Sequence, residues 1–174
     1  MDFSNLVVAQ SVNGLPSLRN AGEQRFTGVE LEARWRWTDE LSVEGAWAHH
    51  SSKFRDYVQE FDGVPTQLRG KRLEMSPERL AALGVTWSPE HGFFGSARAE
   101  WIGDRFLNNR NTALAEAYAT WSAGVGYRLA RGEVRLDGAN LSDHRDPVAE
   151  SELGDAQYYR MTARRVDVGY TFRF

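Results

Sequence analysis

The 174-residue chain has no cysteine, which excludes a disulfide framework and thiolate metal sites. It has no apolar run near the roughly 20 residues that a membrane helix requires. It has no excess of basic charge: 21 lysines and arginines face 24 aspartates and glutamates, for a net charge of −3. A balance this close gives no electrostatic footprint for nucleic acid. No HExxH motif, Gly-rich phosphate loop or nucleophile–base arrangement occurs, so no catalytic residue, cofactor or metal ligand is assigned and no enzyme is expected. The first residues, Met1-Asp-Phe-Ser-Asn-Leu-Val-Val8, carry neither the basic nor the apolar region of a secretory leader. The text reads as if it begins inside a strand, and the expectation is a piece of a larger domain. None of these absences excludes a transmembrane β-barrel, whose spanning strands are only half apolar.

What is there is alternation. In the last stretch Val166, Val168, Tyr170, Phe172 and Phe174 fall on one face of an extended strand, and Arg165, Asp167, Gly169, Thr171 and Arg173 on the other. The same period of two recurs upstream. Val29, Leu31, Ala33, Trp35 and Trp37 oppose Glu30, Glu32, Arg34 and Arg36. Leu41, Val43, Gly45 and Trp47 lead a strand that is expected to run to about Phe54. Ala81, Leu83, Val85 and Trp87 follow, then Phe93, Gly95, Ala97, Ala99 and Trp101 opposite Ser96, Arg98 and Glu100. Trp121, Ala123, Val125, Tyr127 and Leu129 precede Val134, Leu136 and Gly138, which oppose Glu133, Arg135 and Asp137. With a short, poorly patterned strand over Phe3–Ala9, about eight strands are expected: an all-β, antiparallel transmembrane barrel segment.

The connections sort by length. Tight turns at Thr38–Glu40, Ser88–Gly92 and Ala130–Gly132 alternate with long polar loops at Gln10–Gln24, Arg55–Ser76, Gly103–Ala117 and Asn140–Tyr159. A soluble sandwich has no reason to sort its loops this way, whereas outer-membrane barrels have short periplasmic turns and long external loops. The aromatics are expected to form two belts. One, beside the short turns, holds Trp35, Trp37, Trp87, Phe93, Tyr127, Phe172 and Phe174. The other, at the far ends of the strands, holds Trp47, Trp101, Tyr118 and Trp121. Charges of both signs, including Glu44, Arg128, Arg165, Asp167 and Arg173, are expected to face the lumen and pair across strands.

Several short stretches resemble the barrel of TonB-dependent outer-membrane receptors: Gly28-Val-Glu-Leu-Glu32, Gly70-Lys-Arg-Leu-Glu-Met-Ser-Pro77, Asn108–Thr112 followed by Tyr118, Asn140-Leu-Ser-Asp143, and Gln157-Tyr-Tyr-Arg160 with Arg164-Arg165 and the terminal Phe174. Their order covers nearly the whole chain. The resemblance implies a barrel of about 22 strands holding an N-terminal plug, in the outer membrane of a Gram-negative bacterium. Residues 1–174 would be its C-terminal portion without the plug, the last strands of the larger barrel, as an open or partly closed sheet. It implies TonB-dependent uptake of a scarce ligand, often a ferric siderophore. The implied partners are outer-membrane lipid, the remaining strands and plug, and the TonB complex through the plug alone. Two other readings stand beside it: a self-contained eight-stranded structural or adhesive barrel, whose first and last strands would pair, and a soluble ligand-binding barrel with its aromatics buried.

No ligand-binding residue is assigned. His49 and His50 are neighbours in a strand and point to opposite faces, so they do not chelate one ion. Asp143, His144 and Asp146 read as turn chemistry before Pro147. Glu150, Glu152 and Asp155 read as a solvated loop rather than a cation site. Arg55, Arg69, Lys71, Arg72, Arg105 and Arg110 would suit anionic chelates or lipid phosphates, yet read first as a charged rim. Gly124 and Gly126 are expected to allow strand curvature.

Overall fold

The computed structural model describes residues 2–4, 7–12, 15–20, 22–61, 63–150, 158–172 and 174, with the backbone alone at 7–12, 15–20, 149 and 150. The described residues form strands and no helix. The chain opens with β1 (Asp2–Ser4), β2 (Val7–Val12), β3 (Leu15–Asn20) and β4 (Glu23–Arg36). It continues through β5 (Leu41–Asp56), β6 (Val58–Phe61), β7 (Val64–Gln67), β8 (Arg79–Trp87) and β9 (Gly92–Ile102). The short β10 (Arg105–Phe106) and β11 (Leu114–Ala115) precede β12 (Tyr118–Leu129) and β13 (Gly132–Ala139). Last come β14 (Pro147–Glu150), β15 (Tyr158–Arg160) and β16 (Arg165–Phe172).

Eight of these make one antiparallel wall in the order β1-β4-β5-β8-β9-β12-β13-β16, each strand beside the next wall strand in the sequence. Among the described residues β1 and β16 do not pair, so the sheet is open. Three joints are tight: residues 37–40, 88–91 and 130–131. In the first, the Thr38 hydroxyl accepts the amides of Glu40 and Leu41 at 3.2 and 3.0 Å, a local closure typical of a threonine in a turn.

Each of the four long connections differs from the plain loop that its composition suggests. Each carries a small hairpin of its own: β2–β3, β6–β7, β10–β11 and β14–β15. Turn residues bracket these short strands, which bury little and leave almost no apolar period to read. The single early strand expected over Phe3–Ala9 is also divided, since β1 ends at Ser4 and Val7–Ala9 belongs to β2. The strand from Leu41 runs two residues past Phe54, to Asp56. Arg173 lies outside the described residues, as do Glu152, Asp155 and Gln157.

The register sets the faces. Across the wall Leu31 stands opposite Trp47, Trp47 opposite Ala81, and Ala81 opposite Trp101. Lower down, Phe93 faces Tyr127, Tyr127 faces Val134, and Val134 faces Tyr170. These rungs are open to the surroundings: Leu31 is 62% exposed, Trp37 64% and Val168 76%. So many bare aromatics and aliphatics on one continuous face exceed what a soluble monomer shows, and the soluble barrel with buried aromatics is not what is observed. Eight residues separate Phe93 from Trp101 on β9, about 27 Å along the strand. At a tilt of about 40° that spans on the order of 20 Å across a bilayer, close to the apolar band of a spanning barrel.

Tyr118 departs from the belt expected of it. Tyr118 begins β12 in even register with Ser122, opposite in sense to Ala119 and Trp121, and is buried at 7% exposure. It belongs under the connections and not to a belt.

Among the described residues a small buried cluster sits at the end of the wall where the long connections emerge. Phe54, Tyr57 and Leu68 are buried together, with Phe61 and Leu73 packed against them. Phe54 and Tyr57 stack with centroids 5.1 Å apart.

Candidate functional site

Two surfaces could carry function: the ionic face of the wall, and the interlocked connections above it. On the ionic face, Arg34 and Arg98 both grip Glu44, at 3.1 and 2.9 Å, and Arg98 also reaches Glu100 at 2.9 Å. Arg98 is two strands away from Glu44, and Gly84 lies between them. With no side chain at Gly84, the Glu44 carboxylate lies across the gap; a Cβ there would stand 3.0 Å from Glu44 Cγ. Farther along, Arg135 pairs with Asp137 at 2.6 Å and Arg165 with Asp167 at 2.7 Å. These groups are mostly exposed, so each pair contributes on the order of 0.2–1 kcal/mol. Among the described residues Glu30, Glu32 and Arg36 make no ion pair.

The inner glycines also make room for neighbouring side chains. Gly124 is covered by the side chains of Asp137 and Arg135, and Gly126 by the ring of Phe94. Arg128 lies above that ring, 4.4 Å from its centroid. It also donates to the Pro89 carbonyl and, at 2.9 Å, to the Ser88 hydroxyl. A glycine beside a large side chain is a seat for that side chain. A recess of about 630 Å³ opens over the rungs from Glu30 to Ile102 and from Glu32 to Glu100, floored by Ala46, Ala48 and Ala82. It combines small apolar residues with unpaired carboxylates.

Above the wall the connections are tied to one another. The Arg72 amide donates to Asn111 Oδ1, and Asn111 Nδ2 donates back to the Arg72 carbonyl, both at 2.8 Å. Asn111 holds a φ of +57°, which asparagine tolerates better than most residues. The Arg72 guanidinium meets Asp104 at 3.3 Å and Glu78 at 3.6 Å and lies over Phe106. Asn109 donates to Gln59 at 3.2 Å. Arg105, 3% exposed, donates to the Pro147 carbonyl and lies 5.0 Å over Tyr118. Tyr118 in turn packs against His144.

The cations singled out in the sequence do not converge as a set: Arg55 and Arg69 line one recess, while Arg72, Arg105 and Arg110 lie apart from it. Arg72 and Arg105 are spent on holding connections together, Arg110 lies over Phe61, Arg69 meets Asp56 at 4.0 Å and Arg55 meets Asp2 at 3.5 Å. His49 and His50 take opposite faces as expected, His49 stacking on Trp47. No group of three metal-ligating side chains occurs among the described residues. Glu150 has only its backbone described.

Asn140-Leu-Ser-Asp143 is a built corner. Asn140 and Asp143 both have positive φ, 48° and 52°. Asn140 Nδ2 donates to the carbonyls of His144 and Thr162, at 2.8 and 2.9 Å. The Leu141 amide donates to the Trp121 carbonyl, and its side chain covers Gly138. Asp143 Oδ1 accepts the Arg164 amide at 2.9 Å and the Arg145 guanidinium at 3.1 Å. The amide bond, helped by Arg145, holds the Asp143 carboxyl below its ordinary range. His144 pairs with Asp146 at 3.1 Å. Turn chemistry accounts for the bonds within residues 140–146, while those to Trp121, Thr162 and Arg164 tie the corner to distant segments.

These features have counterparts in known proteins. The family model described as TonB dependent receptor-like, beta-barrel, matches residues 1–141. The ferrioxamine receptor of Yersinia enterocolitica is 28% identical over 159 residues, which are 87% of this chain and 21% of that receptor. The siderophore receptor PiuA of Acinetobacter baumannii superposes with a TM-score of 0.76 at 20% identity, covering 90% of this chain and 23% of PiuA. The ferric yersiniabactin uptake receptor FyuA of Yersinia pestis gives 0.75 at 22% identity, covering 91% and 25%. This chain thus spans about a quarter or less of the length of these proteins. The family is one of receptors and not of enzymes. With its open meander, bare apolar rungs and family match over most of its length, the chain belongs to the TonB-dependent receptor-like β-barrels.

Proposed function

We propose that the chain forms the C-terminal part of the wall of an outer-membrane receptor that takes up a scarce iron chelate, with energy passed through TonB. The observation that carries this reading is the division of one open antiparallel sheet into an outward apolar face and an inward ionic face. Relatives named for ferrioxamine, ferric yersiniabactin and other siderophores point to the chelate class. In this reading lipid covers the apolar rungs, further strands pair with the free edges of β1, β4 and β16, and a plug fills the space over Glu30, Glu32 and the recess between them. The interlocked connections form part of the external mouth. TonB would be met by the plug and not by these residues.

A self-contained barrel needs a ladder between the first and last wall strands. β1 offers three residues and β16 eight, a poor match, so the completed receptor is preferred.

Two measurements test the reading. The chain refolded alone in detergent is expected to migrate alike before and after boiling, because an open sheet has no closed barrel to resist the detergent; a heat-shifted band would favour the small barrel. In iron-starved cells, deleting the coding sequence is expected to lower radio-iron uptake from at least one ferric chelate. Unaltered uptake of ferrioxamine, ferric citrate and ferric yersiniabactin alike would overturn the transport role.

A further inference from the structure

Connection length leaves part of the register unset. A tight turn fixes the alignment of the strands it joins, and one does so for β4–β5, β8–β9 and β12–β13. The pairs β5·β8, β9·β12 and β13·β16 are joined by long connections instead. A slip of one residue exchanges the two faces, and the whole alternating pattern opposes it. A slip of two keeps both faces, so the pattern does not oppose it. Between β9 and β12 the outer face adds little, since Gly95, Ala97 and Ala99 stand opposite Val125, Ala123 and Trp121. Phe93 packs edge-on against Tyr127, and after a slip it would meet Val125 or Leu129, which are also apolar.

The inner face does discriminate. Phe94 is the register partner of Gly126, and its ring covers the place where a side chain on Gly126 would stand. It is 8% exposed although it lies on the ionic face. Arg128 closes over the ring, pairs with Glu133 at 3.6 Å and donates to Ser88 and Pro89 at the tight turn before β9. Ring, gap and clamp meet in one alignment alone. Shifted by two residues one way, Phe94 would face Arg128. Shifted the other way, it would face Gly124, whose gap is already filled by Asp137, its partner on β13. The pair β5·β8 repeats the arrangement: Glu44 lies over its partner Gly84, held there by Arg98 of β9 at 2.9 Å. In β13·β16, Gly169 is the partner of Arg135 and has open space beside it. That pair is tied by the Asn140–Asp143 corner instead, through its bonds to Thr162 and Arg164.

We propose that Phe94 on Gly126 and Glu44 on Gly84 are register keys, each setting the alignment of two wall strands whose connection is too long to set it. Arg128 is the clamp that ties the first key to the neighbouring hairpin.

The test uses the whole chain, which has no cysteine, refolded into phosphatidylcholine vesicles. Ala97→Cys is combined in turn with Ala123→Cys, its partner in the observed register, and with Trp121→Cys or Val125→Cys, its partners after a slip of two. Disulfide formed on mild oxidation is read by mass spectrometry. With Phe94 in place, the link to position 123 is expected almost alone. Phe94→Ala removes the key without crowding its seat, and is expected to lower the ratio of that link to the slipped ones about fivefold. The same variant is then made with residues 103–117 replaced by Asn-Gly, which joins β9 to β12 by a two-residue turn. There the link of the observed register is expected to return. An unchanged ratio in Phe94→Ala, or slipped links that persist with the tight turn, overturns the key. If Phe94→Ala fails to fold, recovery with the tight turn supports the key and continued failure overturns it.

Discussion

Asp143 shows how a single side chain closes a connection. Its carboxylate takes the Arg164 amide at 2.9 Å and two Arg145 nitrogens, tying the start of the last long connection to its end. Because the folded carboxyl is held below its unfolded value, mainly by that amide bond, the contribution is complete at pH above the unfolded value. It is lost as pH falls through the folded one. Acidification below the ordinary carboxylate range is therefore expected to free the Arg164 amide while the wall strands stay protected. Asp143→Ala, which leaves no side-chain acceptor, is expected to expose that amide at neutral pH and to remove the acid step. Hydrogen exchange resolved at Arg164 checks both; protection that ignores pH in the parent chain would mean that the amide is held by something else. Asn140 was visible in the sequence as part of a motif, but its work was not: the positive φ and the twin bonds to His144 and Thr162 depend on where β16 begins.

Among the elements, the wall strands were legible and the hairpins between them were not, for one physical reason. A strand with one face in lipid and one in an aqueous interior must alternate over many residues, and β4, β5, β9 and β12 do so. The short strands of the connections carry little apolar period, and the bonds described there, such as Arg105 to Pro147 and Asn109 to Gln59, reach distant segments. Tyr118 was misplaced for a related reason: a residue at the mouth of a strand looks like a belt aromatic until its register is fixed against Ile102. The cations Arg72 and Arg105 looked like ligand groups, and only their partners Asp104, Glu78, Asn111 and Pro147, 6 to 42 residues away, show otherwise. The same long-range bonds make the second and third connections one unit. Asn111→Ala removes both bonds to the Arg72 backbone and strains a left-handed φ. It is expected to weaken that joint by about 1–3 kcal/mol, read as faster proteolysis within residues 63–76 and 104–116. The heat stability of the wall should hardly change, since its ladders are untouched. Asn111→Gly, which relieves the φ but not the bonds, should cleave nearly as fast; cleavage at the parent rate would mean that the connections do not depend on one another.

For the whole molecule, everything rests on which face meets lipid, and the last strand offers the cleanest reading of it. β16 has neither a second wall neighbour among the described residues nor a covering connection, and all eight of its residues are exposed. Burial therefore cannot discriminate its two faces, and only the surroundings can. With no cysteine in the chain, single-cysteine variants carry no background. In vesicles, Val166→Cys, Val168→Cys and Tyr170→Cys are expected to react with a lipid-soluble maleimide and to resist a charged, water-soluble one. Asp167→Cys, Gly169→Cys and Thr171→Cys are expected to do the reverse. The contrast should alternate residue by residue, because a shift of register by one would exchange the faces as a set. Its depth dependence matters too. Phe172, at the short-turn end beside Gly132, should lie at the interface and react with both reagents when replaced. A water-soluble reagent that labels all six interior variants alike would mean a sheet lying in solution or on the membrane surface, and the apolar rungs would then need a protein partner in place of lipid.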